Sequence, residues 1–166
     1  MVDSRRPNGL PSKDSWRTPL PVLFSLEEQL GINYQVDPCA APDNHLGFPF
    51  FYTETDDGLK QDWSFNGSFS NVFVNPPFSK KKQFVEKAYS ESQKEGMIVD
   101  MLLPNCIDTD LFHDILCFAQ FFPIRGRIEF WGDDLKPVGS PREGHSIFRF
   151  TSNKTRRLPS LSVRGL

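Results

Sequence analysis

The sequence has few cysteines, no long apolar run and almost no net charge. Its 166 residues include three cysteines and carry 19 basic against 21 acidic side chains, a formal charge of −2. No stretch approaches the roughly 20 apolar residues that a membrane-spanning helix needs, and the first residues precede no apolar signal core. The overall charge gives no reason to expect a polyanionic partner. We therefore expect a soluble, cytoplasmic protein.

Potential metal ligands and disulfide partners are also sparse. The cysteines show no C-x-x-C spacing and are odd in number, which argues against a zinc site and against a disulfide framework. The histidines lie on three separate segments without ligand spacing, so we expect a structural role for each of them and no bound metal. The residues concerned are Cys39, Cys106, Cys117, His45, His113 and His145.

The chain length predicts one compact domain with a single core. Residues 1–15 are polar and rich in proline, glycine and serine, which indicates a flexible arm. Residues 16–151 form the expected domain, and residues 152–166 form a basic tail. Three lysines also follow one another at 80–82. Such basic patches can contact phosphates, although a solvated run of charge is the commoner explanation for either patch alone.

Hydrophobic periodicity predicts alternating helices and strands. Apolar residues recur at three- and four-residue steps from Val22 to Leu30, between Thr18 in the N-cap position and a stop at Gly31. We predict strands at 32–37, 48–53, 71–74, 97–103, 118–124, 127–131 and 146–151, and further helices at 80–95 and 111–116. This alternation predicts an α/β fold with a doubly wound, mostly parallel sheet and an antiparallel edge.

One predicted strand, residues 71–74, ends in Asn75-Pro76-Pro77-Phe78. Two consecutive prolines fix an extended turn after a strand, because proline lacks the ladder donor and excludes helical geometry from the residue before it. Open α/β sheets bind ligands at the carboxyl ends of their strands. The turn therefore presents an amide, an unclaimed Pro76 carbonyl and an aromatic ring at a position where ligands bind.

Two acceptors and a ring suit a planar amine. The exocyclic amine of adenine or cytosine is a poor nucleophile, because its lone pair is delocalised into the ring. If Asn75 and the Pro76 carbonyl each accept one amine hydrogen, the lone pair can be aimed at an electrophilic methyl group while Phe78 stacks on the base. Alignment of this kind contributes up to roughly 7–11 kcal/mol, so no strong base is needed. The bare tetrapeptide would be read as an ordinary turn, but its strand-to-helix context favours a functional site.

Six blocks of sequence, taken in order, resemble the phage-type DNA N-6-adenine methyltransferase family. They span about residues 16–151, nearly the whole predicted domain. The blocks are Trp16-x-Thr18-Pro19, Asp37-x-Cys39-Ala40, Asp57-Gly58-Leu59 with Asp62-Trp63, Asn75-Pro76-Pro77-Phe78, Met101-Leu102-Leu103-Pro104 and Ile124-Arg125-Gly126-Arg127-Ile128-x-Phe130. The resemblance implies a compact Rossmann-like methyltransferase domain that uses S-adenosylmethionine to methylate adenine N6 in double-stranded DNA. It also implies base flipping, and the cytoplasm of a bacterial or phage-infected host cell as the location.

The resemblance also implies roles for individual residues. The catalytic turn would be Asn75, Pro76, Pro77 and Phe78. Cofactor-binding residues would be Thr18, Pro19, Asp37, Pro38, Cys39, Ala40, Glu54, Asp57, Asp62 and Trp63, with Asp62 receiving the cofactor's adenine amine. The choice of a ribose-binding carboxylate among Glu54, Asp56 and Asp57 stays open. DNA contacts would come from Lys80, Lys81, Arg125 and Arg127, although a surface hairpin explains the two arginines equally well.

One feature departs from the wider methyltransferase pattern. The loop after the first strand, residues 39–42, contains no glycine, whereas methyltransferases usually have a glycine-rich loop there so that the backbone can approach the cofactor. A second enzyme hypothesis, independent of this loop, is methylation of another planar amine, such as cytosine N4 or a protein glutamine. A third hypothesis is a catalytically silent, nucleic-acid-binding homologue.

Overall fold

The structure is a computed structural model that describes residues 12–152 and the backbone of residues 161–162. Most of the predicted arm and most of the predicted basic tail lie outside the described residues. The last part of the predicted arm is described, and Lys13–Ser15 forms one turn of 3-10 helix there. The division into arm, domain and tail stays a prediction.

The helices lie close to their predicted positions. Helix α1 covers Leu20–Leu30 and ends at Gly31, whose φ of 60° is the left-handed conformation that glycine adopts readily. A 3-10 turn at Phe78–Lys80 leads into α2, Lys81–Ser92, and α3 covers Asp110–Leu116 with Thr109 as its N-cap. The prediction of Thr18 as the cap of α1 was wrong, because Pro19 occupies the N-cap position. Its side chain makes no capping hydrogen bond.

The strands form a mixed sheet whose order is β2-β1-β3-β4-β8-β5-β9. Strands β1 to β4 pair in parallel, whereas β8 runs antiparallel between β4 and β5. The predicted α/β fold with a mostly parallel sheet and an antiparallel side is thus confirmed. The bounds are β1 Val36–Asp37, β2 Phe50–Phe51, β3 Asn71–Val74, β4 Ile98–Pro104, β5 Gln120–Arg125, β6 Phe130–Trp131, β7 Pro137–Gly139, β8 His145–Phe150 and β9 Leu161–Ser162.

Several strands are shorter than their sequence pattern suggested. The strand predicted at 32–37 contains only Val36–Asp37, and the strand predicted at 48–53 contains only Phe50–Phe51. Strands β6 and β7 pair with each other as a separate two-stranded sheet. The β3 prediction was confirmed at both ends, because the proline pair ends that strand without ambiguity.

Two apolar clusters cover the two faces of the sheet. Phe73 packs in the cluster that contains α1, while its neighbours Val72 and Val74 pack in the cluster that contains α2 and α3. Alternate residues of a strand point to opposite faces, so helices lie on both sides of β3. On α2, Tyr89 is 42% exposed, whereas Glu91 is buried. Among the described residues, no helix is long and apolar enough to cross a membrane.

The topology brings four strand ends together. Strands β1, β3 and β4 are parallel, and β5 runs in the same direction because it is antiparallel to β8, which is itself antiparallel to β4. Their carboxyl ends therefore meet at one edge of the sheet. Asp37, the Asn75–Phe78 turn and Arg125 all lie at this edge.

Candidate active site

An open cleft of about 240 Å³ lies at the carboxyl edge of the sheet. Its walls come from the segment before α1 and from the loops after β1, β2 and β3. Ten of the predicted site residues line it, which confirms that the loops converge although they are far apart in sequence. They are Thr18, Asp37, Pro38, Cys39, Ala40, Glu54, Asp57, Asn75, Pro77 and Lys80.

A second, smaller cavity of about 40 Å³ lies on the other side of the proline turn. Asn75 lines both cavities, Pro77 lines the cleft, and Pro76 and Phe78 line the small cavity. The turn is thus the wall between two spaces. This arrangement suits a reaction between two molecules, one bound in each cavity, that both contact Asn75.

The amide of Asn75 has a defined orientation. Its Nδ2 donates to the carbonyl oxygen of Trp16 at 3.1 Å, which makes Oδ1 the atom left for a ligand. Within residues 12–152 no group donates to Asn75 Oδ1 or to the Pro76 carbonyl. The two acceptors that the sequence predicted are therefore both open.

Cys39 joins the loop after β1 to the proline turn. The Cys39 backbone N–H donates to Asp37 Oδ1 at 3.0 Å, and the Cys39 thiol donates to the Asn75 carbonyl oxygen at 3.3 Å. One residue therefore holds the carboxyl end of β1 against the carboxyl end of β3. This contact fixes the two loops relative to each other.

Two buried polar groups in the cleft have incomplete surroundings. Asp37 is 6% exposed and has no basic partner among the described residues, and burial raises its pKa to about 7 against the smaller opposing effect of its bonds to Cys39. Thr18 is 1% exposed, and its Oγ1 has no hydrogen-bond partner in the described part of the chain. A buried hydroxyl without a partner costs roughly 1–3 kcal/mol, so the Thr18 hydroxyl contributes nothing to stability through hydrogen bonds within the described residues.

Gly58 allows the loop after β2 to lie close to the loop after β1. A Cβ on Gly58 would lie 1.8 Å from the Pro38 carbonyl oxygen. The loop after β2 therefore packs directly on the backbone of the loop after β1. Sequence reasoning noted the absence of glycine within residues 39–42 but not this contact, which requires glycine at position 58.

The acidic loop after β2 divides into ligand-facing and structural residues. Asp56 accepts bonds from the Thr53 backbone N–H at 2.8 Å and from its hydroxyl at 2.7 Å, so it holds the turn. Glu54 and Asp57 both line the cleft, and Asp57 also pairs with Lys60 at 2.8 Å. Either of them stays a candidate for a ribose contact.

Three predicted cofactor residues do not line the cleft. Pro19 begins helix α1. The Asp62 carboxylate accepts bonds from Lys94 at 2.6 Å and from Ser64 and Asn66, which explains why its pKa is lowered. The Trp63 indole is fully buried and donates to the Gly58 carbonyl oxygen at 2.8 Å, so it supports the cleft wall from behind.

Of the four predicted DNA contacts, one lines the small cavity, one lines the cleft and two line neither. Lys81 lines it, and the Lys81 ammonium lies 4.6 Å from the centroid of the Phe78 ring, which is 46% exposed. Lys80 lines the cleft instead and faces Glu54 at 4.0 Å. Arg125 and Arg127 are exposed at the same edge of the sheet but line neither cavity.

Sequence reasoning missed three residues that line these cavities. His45 lines the cleft and contacts the Thr18 carbonyl oxygen at 3.0 Å, while Trp16 lines both cavities and stacks on Phe130 at 5.5 Å. His145 lines the small cavity and was expected to be a satisfied structural histidine, yet its Nδ1 has no partner among residues 12–152. The only sequence signal was its position one residue before a predicted strand.

The described residues contain no cluster of three or more histidine, cysteine, aspartate or glutamate side chains that could hold a metal ion.

Comparison with known sequences decides the family. The family model described as DNA N-6-adenine-methyltransferase (Dam) matches residues 7–162, nearly the whole chain. This chain belongs to that family. The match confirms the resemblance drawn from the six sequence blocks and extends it by a few residues at each end.

Two proteins similar to this chain come from phages, and both are named DNA N-6-adenine-methyltransferase. The protein from Escherichia phage T1 is 37% identical over 92 residues, which make up 55% of this chain and 36% of the relative. The protein from Haemophilus phage HP1 (strain HP1c1) is 34% identical over 91 residues, 55% of this chain and 50% of the relative. The matched segment thus covers half or less of these relatives.

Proposed function

We propose that this chain is a methyltransferase that transfers a methyl group from S-adenosylmethionine to adenine N6 in double-stranded DNA. One observation carries the proposal: the Asn75–Phe78 turn lines two cavities and leaves the Asn75 Oδ1 and Pro76 carbonyl oxygens without hydrogen-bond donors among residues 12–152. Family membership supports the same reaction, because the family and both phage relatives are named for it.

The turn would activate the amine by orienting it. Asn75 Oδ1 and the Pro76 carbonyl oxygen each accept one amine hydrogen from a base in the small cavity. This pair of hydrogen bonds would draw the nitrogen toward tetrahedral geometry and aim its lone pair at the methyl group of a donor held in the cleft. The N–C bond would form as the S–C bond breaks, and the proton released from the nitrogen would pass to water. Alignment provides most of the acceleration, since no strong general base lies on the turn.

The cleft has the chemistry that the proposed cofactor needs. When bound, S-adenosylmethionine supplies a methyl group on a positively charged sulfur atom. Within residues 12–152, Asp37 offers a buried carboxyl without a basic partner and Thr18 a hydroxyl without a hydrogen-bond partner, while Glu54 and Asp57 offer carboxylates for ribose hydroxyls. Pro38, Cys39 and Ala40 form the floor, held close by Gly58.

The fold supports the proposal of a compact Rossmann-like, doubly wound methyltransferase domain. The parallel strands β1 to β4 have helices on both faces, and the candidate site lies at their carboxyl ends. Doubly wound sheets bind nucleotide-like ligands at this edge.

DNA would approach the face that contains the small cavity. Lys80, Lys81, Arg125 and Arg127 lie at this edge and would contact phosphates on either side of the target. A base inside a duplex cannot reach Asn75, so the adenine must flip out into the small cavity, where Phe78 offers a stacking surface. Both substrates occur in the cytosol of a bacterial or phage-infected cell, which is where we place the reaction.

The proposal is tested by sequencing plasmid DNA from cells that lack adenine methylation and express the chain. We expect N6-methyladenine at a defined short sequence, and none with Asn75→Ala. Asn71→Ala is the matched control, because Asn71 lies at the other end of β3 and bonds the Asn33 carbonyl oxygen away from the site.

Three results would count against the proposal. Methylated cytosine N4 in place of adenine would identify a different DNA amine as the substrate. Unmodified DNA together with a labelled protein product would point to glutamine methylation. If the purified chain binds DNA but not S-adenosylmethionine in calorimetry, it is a silent homologue.

A further inference from the structure

The small cavity beside the proline turn contains one buried polar side chain that the proposed amine contacts do not use. This side chain is His145, which is 7% exposed and begins strand β8 opposite Pro104 of β4. Its ring packs on Phe130, with the ring centroids 5.0 Å apart. Pairing on one side and packing on the other hold the imidazole at the cavity wall.

The His145 ring lacks a hydrogen-bond partner that its burial demands. Its Nδ1 is one of three buried side-chain polar atoms left without a partner among the described residues. The others are Thr18 Oγ1 and Asn44 Oδ1. A buried polar atom without a partner is rare and destabilising, which makes it a marker of a ligand position when it borders a cavity.

The charge state of His145 is fixed by its surroundings. Burial lowers its pKa to about 4, with the nearby backbone of Glu143 and the Glu143 charge opposing the shift and the ammonium groups of Lys13 and Lys81 adding to it. The ring is therefore neutral at pH 7 and carries one N–H donor and one acceptor nitrogen. A neutral ring suits a neutral base edge, and its N–H matches the ring nitrogens beside the adenine amine, which only accept hydrogen bonds.

We infer that His145 is a substrate-binding residue that donates a hydrogen bond to a ring nitrogen, N1 or N7, of the flipped adenine. This inference rests on the proposed function. Asn75 and Pro76 hold the exocyclic amine, and His145 holds the adjacent ring atom, so three contacts fix the base in its plane. A base held at its amine alone could still rotate about that point.

The test uses synthetic duplexes that contain the methylation site once it has been mapped, with one change at the target base only. The target is adenine, 7-deazaadenine, which lacks N7, or 1-deazaadenine, which lacks N1. The full chain is compared with His145→Phe, which keeps a ring against Phe130 without a donor, and with His145→Asn, which keeps an N–H. The exposed His113 provides the control variant His113→Ala.

We expect the unchanged chain to methylate one of the two deaza duplexes about tenfold more slowly than the adenine duplex, the size of one hydrogen bond. His145→Phe should methylate the adenine duplex about tenfold more slowly and should lose the sensitivity to that analogue. His145→Asn should restore part of the sensitivity, and His113→Ala should behave like the unchanged chain.

Two outcomes would overturn the inference. One is an unchanged chain that is insensitive to both deaza bases, which decides the matter even if His145→Phe does not fold. The other is a folded His145→Phe variant with the same analogue sensitivity as the unchanged chain. Failure of the proposed function is distinguishable from both outcomes, since the unchanged chain would then not methylate the adenine duplex at all.

Discussion

Two buried aspartates, one within the sheet and one at its carboxyl edge, have opposite surroundings. Asp100 in β4 is fully buried and paired, with both oxygens bonded to Arg149 of β8 at 2.7 Å and with the Tyr34 hydroxyl at 2.6 Å. Asp37 at the end of β1 is also buried but has no basic partner among the described residues. The same type of side chain is therefore charge-compensated in one place, whereas in the other it lines the cleft without a basic partner in the described part of the chain.

The largest expected effect comes from removing the paired acid. Asp100→Asn leaves the Arg149 charge buried without compensation, so we expect the free energy of unfolding to fall by roughly 3–5 kcal/mol. Asp37→Asn removes a carboxyl whose ionisation is disfavoured by burial, so the free energy of unfolding at pH 7 should stay constant or rise. Denaturant unfolding of both variants measures the difference. Equal losses would show that the two acids do not differ in role.

A smaller effect is expected from closing the contact between the two cleft walls. Gly58→Ala places a methyl group against the Pro38 carbonyl oxygen, so the loop after β1 must shift. We expect about 1–3 kcal/mol of lost stability and a weaker affinity for S-adenosylmethionine, measured by thermal unfolding and calorimetry. Gly67→Ala is the control, because it meets open space and adds only left-handed backbone strain. Unchanged cofactor affinity in Gly58→Ala would contradict this description of the cleft.

The unpaired acid predicts a pH dependence of cofactor binding. With a folded-state pKa of about 7 and an ordinary unfolded value near 4, Asp37 stabilises the fold at low pH, and this contribution is lost as the pH rises through 7. A cationic ligand favours the ionised form, so binding should strengthen about tenfold between pH 6 and pH 8 and should release protons near pH 6.5. Calorimetry in two buffers of different ionisation heat measures the released protons. Asp37→Asn should abolish the release, and an unchanged release would exclude Asp37 as its source.

The smallest effect concerns the unpaired hydroxyl at the same edge. Thr18→Val removes a buried hydroxyl without a partner, so the free energy of unfolding should stay constant or rise by up to about 1 kcal/mol. Cofactor affinity should fall several-fold. Thr109→Val is the matched control, because Thr109 caps α3 and its loss should destabilise by about 1 kcal/mol. If Thr18→Val destabilises as much as Thr109→Val, the Thr18 hydroxyl serves the fold.

The features predictable from sequence were those fixed by local chemistry. The end of β3 follows from two prolines and the end of α1 from Gly31, and both agree with the structure. The position of Asp37 at a strand end was also predicted correctly. Strand lengths were overestimated where the alternation of residues 32–35 continued into backbone that does not form the ladder.

The missed features depend on contacts between distant segments. Asp62 looked like a free acid, but Lys94 at the end of α2 binds it, which no local pattern reveals. Gly58 matters because it packs on Pro38 across the cleft. His145 matters because it lines the small cavity together with the proline turn. Only the folded chain brings these pairs together.

Methylation of adenine N6 should depend on the Asn75–Phe78 turn, which orients the amine. The most direct measurement incubates the purified chain with S-adenosylmethionine and unmethylated double-stranded DNA, followed by nuclease digestion and mass analysis of the nucleosides. We expect N6-methyldeoxyadenosine with the unchanged chain and with Asn71→Ala, and a loss of at least about 100-fold with Asn75→Ala, because the amine then lacks one of its two acceptors. Adenine methylation that persists undiminished in Asn75→Ala would contradict the claim.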